Sequence, residues 1–363
     1  MVPDFISFYT SALTADGYFS LSGKCAEDTP STRTFLICGG VSESSDFIKN
    51  VCLSLEKEGL FSQRFISVFD EEKLDGAYFP DVDVYIFDDN FHNSFSPSMP
   101  DCRQYTVDLG QAADRKEIFL NRGLIKEGME KEKKYIEKTV RFLSTVRSVV
   151  LDTRKLSCDA VNTDKTERFV SRFVKREFGT LSSFSGKEYF RFLTTVTPKG
   201  INFPENTLVK MCPKLYCIDD KTGFISSLLI SQLRESALIC GFDVVSMLSP
   251  LKIQDSPEHI FVPELGIGVV TSDEIHPYKG ECFKRISSLR FLDGEKMKRY
   301  KSRIRFNLSA EKELLSQAFY LMTQIKNARE EYSEIYSRSF CKEKIQSLEK
   351  ETVSEILSYL NCT

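Results

Sequence analysis

The stretch Thr34-Phe35-Leu36-Ile37-Cys38-Gly39-Gly40-Val41-Ser42-Glu43-Ser44-Ser45-Asp46 runs from apolar residues through paired glycines into a polar segment. The apolar run predicts a buried strand and the glycines a tight turn. Over residues 46–59, Phe47, Val51 and Leu55 recur at helical spacing, so the turn leads into an amphipathic helix. Residues 64–69 and 83–88 then read as further strands. This is the rhythm of βαβ units, and it predicts an α/β chain with a largely parallel sheet.

The same order returns further along. Lys214-Leu215-Tyr216-Cys217-Ile218 reads as a strand, residues 219–223 as a turn, and the segment around Leu228-Leu229-Ile230 to Cys240 as a helix. Residues 242–247 and 266–271 supply strands. Phe35 matches Leu215 and Asp46 matches Ser226 at an offset of 180, while Pro80 in Phe79-Pro80-Asp81-Val82 matches Pro263 in Val262-Pro263-Glu264-Leu265 at 183. Duplication is the economical explanation.

Each half ends in charged helix, residues 112–155 and 308–360, expected to form a helical hairpin on its own core. Residues 157–167 read as a loop or weak boundary. The expected domains are therefore 1–175, with a core at about 33–110 and a helical part at 111–175, and 176–363, with a core at about 213–290 and a helical part at 308–361. The 363 residues, 41% hydrophobic, suffice for two ordinary cores.

Composition narrows the functional classes. A formal charge of -3 creates no global field toward nucleic acid or an anionic membrane. Eleven cysteines form no CxxC pair and are odd in number, which favours a reduced, cytoplasmic protein over a disulfide framework or a zinc site. No apolar run reaches the roughly 18 residues of a membrane span. With His92, His259 and His276 the only histidines, few bases exist for Cys-His or Ser-His catalysis, and none lies in a nucleophile motif.

A phosphate-binding P-loop requires GxxxxGK[ST] between strand and helix: glycines admit the phosphates to backbone N–H groups, lysine reaches them and the hydroxyl holds magnesium. Both halves have the placement without the residues. The first frame, 39–46, keeps Gly39 but puts Ser44 for glycine, Ser45 for lysine and Asp46 for the hydroxyl. The second, 219–226, keeps only Ser226. Losing the lysine removes a charge-assisted bond worth roughly 1.5–3 kcal/mol. Asp46 in the first helical turn is expected to take the phosphate's electrostatic place, and Asp219 and Asp220 to repel phosphate.

The residues left to contact a ligand are Gly39, Gly40, Ser42, Ser44 and Ser45 in the first half and Lys221, Thr222, Gly223, Ser226 and Ser227 in the second. Lys221 reads either as an inward substitute for the missing lysine or as a solvated turn residue. Asp88, closing the run Val84-Tyr85-Ile86-Phe87, is the candidate magnesium carboxylate. His92 and His276 recur just beyond the third strands, where α/β folds place ligands, as ligand contacts or as capping groups.

The connector Arg191-Phe192-Leu193-Thr194-Thr195-Val196-Thr197-Pro198-Lys199-Gly200, with Val262-Pro263-Glu264-Leu265-Gly266-Ile267 and His276, resembles a poorly characterised bacterial family of tandem P-loop proteins described as predicted ATPases. Gly17-Tyr18-Phe19-Ser20-Leu21 is similar to that family's opening. Members carry an intact GxPGxGKS loop in each half, a strand ending in Asp and a His-containing turn. The resemblance implies two tandem P-loop NTPase-like parallel-sheet domains, each followed by a helical hairpin, here with degenerate loops.

Two functions follow as expectations. One is a non-hydrolysing binding or scaffold protein with a protein partner. The other is a weak, non-standard ATP-binding protein or ATPase using the first half, with ATP and magnesium as cofactors and Asp88 on the metal. A third, nucleic-acid binding through Lys296, Lys298, Arg299, Lys301, Arg303 and Arg305, has no stacking motif beside it and reads more simply as a solvated face.

Overall fold

The computed structural model describes residues 5–89, 99–179, 182–251 and 257–361. In chain order the first run of elements is β1 (Phe5–Phe8), β2 (Ser11–Thr14), β3 (Gly17–Ser20), α1 (Ser22–Cys25), β4 (Arg33–Cys38), α2 (Glu43–Lys57), β5 (Ser62–Ile66), β6 (Leu74–Phe79), β7 (Val84–Asp88) and β8 (Gln104–Asp108). The helices α3 (Arg115–Leu120), α4 (Arg122–Asp159) and α5 (Thr163–Glu177) follow. The second run is β9 (Glu188–Arg191), α6 (Glu205–Met211), β10 (Lys214–Asp219), α7 (Phe224–Ile239), β11 (Val244–Met247), β12 (His259–Val262), β13 (Ile267–Ser272) and β14 (Lys284–Ser287), then α8 (Gly294–Arg338) and α9 (Lys342–Ser358).

These elements form an α/β structure with two mixed, mostly parallel six-stranded sheets. The first has the order β1-β5-β6-β7-β4-β8 and the second β9-β11-β12-β13-β10-β14. In each, one strand, β6 or β12, runs antiparallel to both neighbours and every other pairing is parallel. The two sheets thus share strand order and direction. The registers agree as well: Gly76 faces Phe87 in the first and His259 faces Val270 in the second, each 183 residues on.

The antiparallel strand was not legible in the sequence. In β6 the reason is Gly76, which reads as a breaker but marks a close approach, since a Cβ there would stand 2.6 Å from the Ile86 carbonyl oxygen. The proline-acidic-apolar step is the turn after that strand. Pro80–Val82 and Pro263–Leu265 are single 3₁₀ turns, each ending in a left-handed residue, Asp83 at φ 51° and Gly266 at φ 60°. The acidic member does the same work twice: Asp81 accepts the Phe61 N–H at 2.8 Å and Glu264 the Asp243 N–H at 3.2 Å. The segment expected to connect the halves instead begins the second sheet, with β9 on its edge and a Thr197–Gly200 turn where the first half has the β2–β3 hairpin.

The chain divides into two compact units. One comprises Met1–Leu13, Gly17–Thr139 and Phe319–Thr363, the other Thr14–Asp16 and Val140–Ala318. This differs from a single boundary near residue 175, and the helical hairpins are the reason. In the first unit α2 buries Phe47, Ile48, Val51, Cys52 and Leu55 on the sheet, and Ile356 of α9 joins the same core. In the second, Ile225, Leu229, Ile230 and Leu233 of α7 lie with Phe173 of α5. Each fully buried side chain of this kind stabilises by about 1.5–3 kcal/mol, so the apolar stripe of α5 settles where an apolar face needs covering. Residues 157–167 are accordingly mostly helical, the end of α4 and the start of α5.

All described cysteines are free. No described helix is long and apolar enough to cross a membrane.

Candidate functional site

Only Gly39 to Ser42 separate β4 from α2, and only Asp220 to Gly223 separate β10 from α7. The eight-residue frame is longer than either loop. Glu43, Ser44, Ser45 and Asp46 are therefore already in the first turn of α2, and Ser226 and Ser227 lie inside α7. Gly39 at φ 88° and Gly40 at φ 78° make the first turn, and Gly223 at φ 65° caps α7.

In both loops a carboxylate of the chain itself occupies the helix N-terminus. Glu43, buried, folds back so that one oxygen accepts the Val41 N–H at 3.0 Å and the other the Ser337 hydroxyl. Asp220, also buried, accepts the Thr222 N–H at 3.1 Å, the Thr222 hydroxyl at 2.9 Å and the Ser226 N–H at 2.8 Å. These are the N–H groups and the helix-dipole position that a bound phosphate uses. The sequence pointed to Asp46 for this role, but Asp46 is exposed and Glu43 holds it. The missed signal was an acidic residue directly after the glycine turn.

The other expected contacts disperse. Ser42 Oγ stands 3.4 Å from Ser337 Oγ, Ser45 Oγ accepts the Leu74 N–H at 2.7 Å, and Ser44 Oγ is buried without a hydrogen-bond partner. Lys221 turns outward to Glu274 at 2.7 Å, and Ser227 Oγ accepts from Arg154 at 3.1 Å. His92 lies outside the described residues. Within the basic run, Arg303 is paired with Asp152, Lys298 with Glu295 at 2.8 Å, and Lys296 donates to the Asp159 carbonyl at 2.7 Å.

Asp88 is buried at the end of β7, opposite Ile37 of β4. It lines a cavity of about 40 Å³ together with Ser42, Ser45, Asp70, Asp75, Lys326 and Arg329. Arg329 stands 3.3 Å from Glu132 and 4.7 Å over the Phe69 ring. Burial works against its charge, yet Glu132, Tyr332 and Asp75 hold its pKa above the ordinary value. Lys326 is tied to Asp70 at 2.9 Å. In this unit the acidic cavity carries its own cations.

The second unit has a cavity of the same size, about 40 Å³, beside Asp220's loop; Thr194, Thr222, Glu258, Asp273, Glu274 and His276 are among its lining residues. Here Glu258, His259 and His276, all buried, bring one ligand atom each within 4.8 Å of one another. His276 Nδ1 is 2.9 Å from Asp273 Oδ1, and its Nε2 is 3.5 Å from Glu258 Oε1. Burial pushes the Asp273 carboxyl up, but the His276 charge, the His276 ring and the N–H groups of His276 and Ile275 outweigh it and hold the pKa at about 2. Asp273 accepts the Nδ1 proton, and Nε2 faces Glu258. His259 is set the other way. The Thr271 N–H donates to its Nδ1 at 3.0 Å, so in the neutral ring the proton sits on Nε2. Sequence reasoning singled out His276 but neither Glu258, His259 nor Asp273; the adjacent Glu258-His259 pair ahead of a strand was the available signal.

Both cavities are far below the roughly 300–1,000 Å³ typical of a pocket for a drug-sized ligand. They match one or two water molecules or an ion.

No protein-family model, no curated protein and no solved structure matches this chain.

Proposed function

We propose that this chain is a degenerate tandem P-loop-type protein that binds a protein partner and does not hydrolyse nucleotide. The observation that carries this reading is the pair of internal carboxylates, Glu43 and Asp220, on the loop N–H groups that phosphate would need. The P-loop ancestry draws support from the adjacency of the strand entering each loop and the strand after the 3₁₀ turn, β4 beside β7 and β10 beside β13.

A second reading, weak Mg-ATP binding in the first half, draws on Lys326 and Arg329 beside Ser42, Ser45 and Asp88. Calorimetric titration with Mg-ATP separates the two. The first reading expects no saturable heat from the wild-type protein. Tight binding that Asp88→Ala abolishes would overturn it in favour of the second.

A further inference from the structure

Because the halves repeat each other, a surface feature of one can be compared with its counterpart in the other. For the helices that follow the sheets the offset is 179. Ala113 bridges Phe340 in the first unit and Leu292 bridges Val161 in the second; the bond from the Asp114 N–H to the Ser339 carbonyl returns as Asp293 to Ala160, both at 2.7 Å. Against this frame two surfaces differ between the halves. At the turn from α3 into α4, Phe119, Leu120 and Leu124 are 64%, 78% and 60% exposed. Single exposed apolar side chains are ordinary, but three in so short a stretch mark a contact surface. Exposed Arg115, Lys116, Arg122 and Lys126 are interspersed with them, against Glu117 and the capping Asp114, and Arg122 lies 4.4 Å over the Phe119 ring. Their counterparts Lys298, Arg299 and Arg303 are all cationic, so this apolar knuckle belongs to the first half.

The other surface is a groove beside the helix that covers each sheet. In the first unit α2 and α9 frame one of about 620 Å³, and in the second α7 and α5 frame one of about 490 Å³. Their lining positions correspond: Leu53 with Glu235 and Lys57 with Ile239 at an offset of 182, Gln346 with Glu167 and Glu349 with Val170 at 179. The first groove sets Lys57 and Lys350 against Glu349. The second sets Glu167 and Glu235 against Lys175, over an apolar floor of Val170, Val174 and Ile239. Ile239 is 54% exposed, and its carbonyl accepts the Ser182 N–H at 3.3 Å, which ties the segment bearing exposed Phe184 to the end of the groove.

We propose that the Phe119-Leu120-Leu124 knuckle of one copy of this chain docks in the α5–α7 groove of a second copy. Apolar side chains leaving water supply the attraction at the centre, and the charges around them choose the groove. A basic knuckle meets mostly like charge at the first unit's groove and mostly unlike charge at the second's, and like charge across an interface rejects a wrong site. Duplication thus left one half with the apolar knuckle and the other with the acidic-rimmed groove. Because knuckle and groove are different patches, the contact is heterologous: a pair of copies still carries one free knuckle and one free groove, and can add further copies. One knuckle in one groove is a small interface, so the association is weak and reversible. No residue of either loop takes part, so the inference goes beyond the non-hydrolysing reading and fails or stands separately from the Mg-ATP titration.

The test is sedimentation velocity on the full chain, reduced to keep its cysteines from forming disulfides, over a wide range of concentration. Wild type is expected to associate reversibly and to pass beyond the dimer as concentration rises. Leu120→Glu spoils the knuckle and Ile239→Lys the groove, and each variant alone should associate about tenfold or more weakly. Mixed in equal amounts, the two variants supply one intact groove and one intact knuckle, so they should form a heterodimer that grows no further. Wild type that stays monomeric throughout overturns the proposal and leaves the knuckle to a different occupant. Loss of association in Leu120→Glu but not in Ile239→Lys would mean knuckle against knuckle, and a mixture without heterodimer would deny the pairing; either result overturns it. Both substituted side chains are exposed, and circular dichroism checks that the variants fold. If Ile239→Lys does not, Glu235→Lys on the groove's rim replaces it with the same expected outcomes.

Discussion

Asp220 Oδ2 accepts the N–H of Ser226 at 2.8 Å, so the carboxylate that begins the second loop is also the anion at the start of α7. A helix N-terminus presents unpaired N–H groups and a positive dipole end, and here the chain answers both from within. Asp220→Ala is expected to destabilise the second unit by about 1–3 kcal/mol, since it strips a buried cap of three hydrogen bonds. Urea unfolding followed by circular dichroism measures it. A loss below about 0.5 kcal/mol, the level of an ordinary surface change, would mean that the carboxylate is incidental.

The first loop makes a coupled prediction. A Cβ on Gly40 would lie 2.8 Å from Glu43 Oε2 at a backbone φ of +78°. Gly40→Ala therefore meets both left-handed strain and the folded-back carboxylate, and should cost about 1–3 kcal/mol. In a Glu43→Ala background the carboxylate is gone and the added cost should shrink. Strict additivity in the double mutant would show that Glu43 does not fill the loop.

Arg329 and Glu132 test the buried charges of the first cavity. Arg329→Ala leaves Glu132, 3% exposed, without its guanidinium. Breaking such a pair from one side costs about 3–5 kcal/mol, whereas removing both charges with shape retained costs much less. Thermal unfolding of Arg329→Ala against the double variant Arg329→Met/Glu132→Gln checks the ordering, and a double variant as damaged as the single one would refute it.

Glu177 sets a pH dependence in the second unit. Its burial raises the carboxyl pKa, but hydrogen bonds from Arg176, Lys214 and Tyr216, at 2.5, 2.5 and 2.6 Å, bring it down to about 2. A depressed folded pKa adds stability that is present above the unfolded carboxylate value and lost as pH falls through about 2. Glu177→Gln should accordingly be less stable than wild type at neutral pH, and the gap in Tm should close between about pH 4.5 and pH 2. A gap that stays constant through that window would exclude the ionised cluster as its source.

Much of this fold could be read from local patterns. Phe35 to Cys38 and Leu215 to Ile218 announce buried strands, and the recurrence of Pro80 and Pro263 reflects one 3₁₀ turn used twice. What escaped was set by distant partners. The apolar positions of α5 and α9 show that each helix has a face to bury but not against which sheet, and proximity in sequence suggested the wrong one. The loop frames failed for a related reason: a motif frame counts residues, while the start of α2 depends on where Glu43 can turn its carboxylate. At the second cavity, Glu258 and His276 meet only because β12 pairs with β13, and no single stretch of sequence displays that approach.

The placement of Ile356 in the first core has a consequence for synthesis. A ribosome that has finished every strand of the first sheet has yet to make α9, and must first deliver the whole second sheet and α8. At about 5–20 residues per second, that interval is on the order of ten seconds or more. During it the first core, already packed by α2, still displays the apolar surface that α9 covers, so the nascent chain is open to premature association. The arrival of α9 ends that exposure.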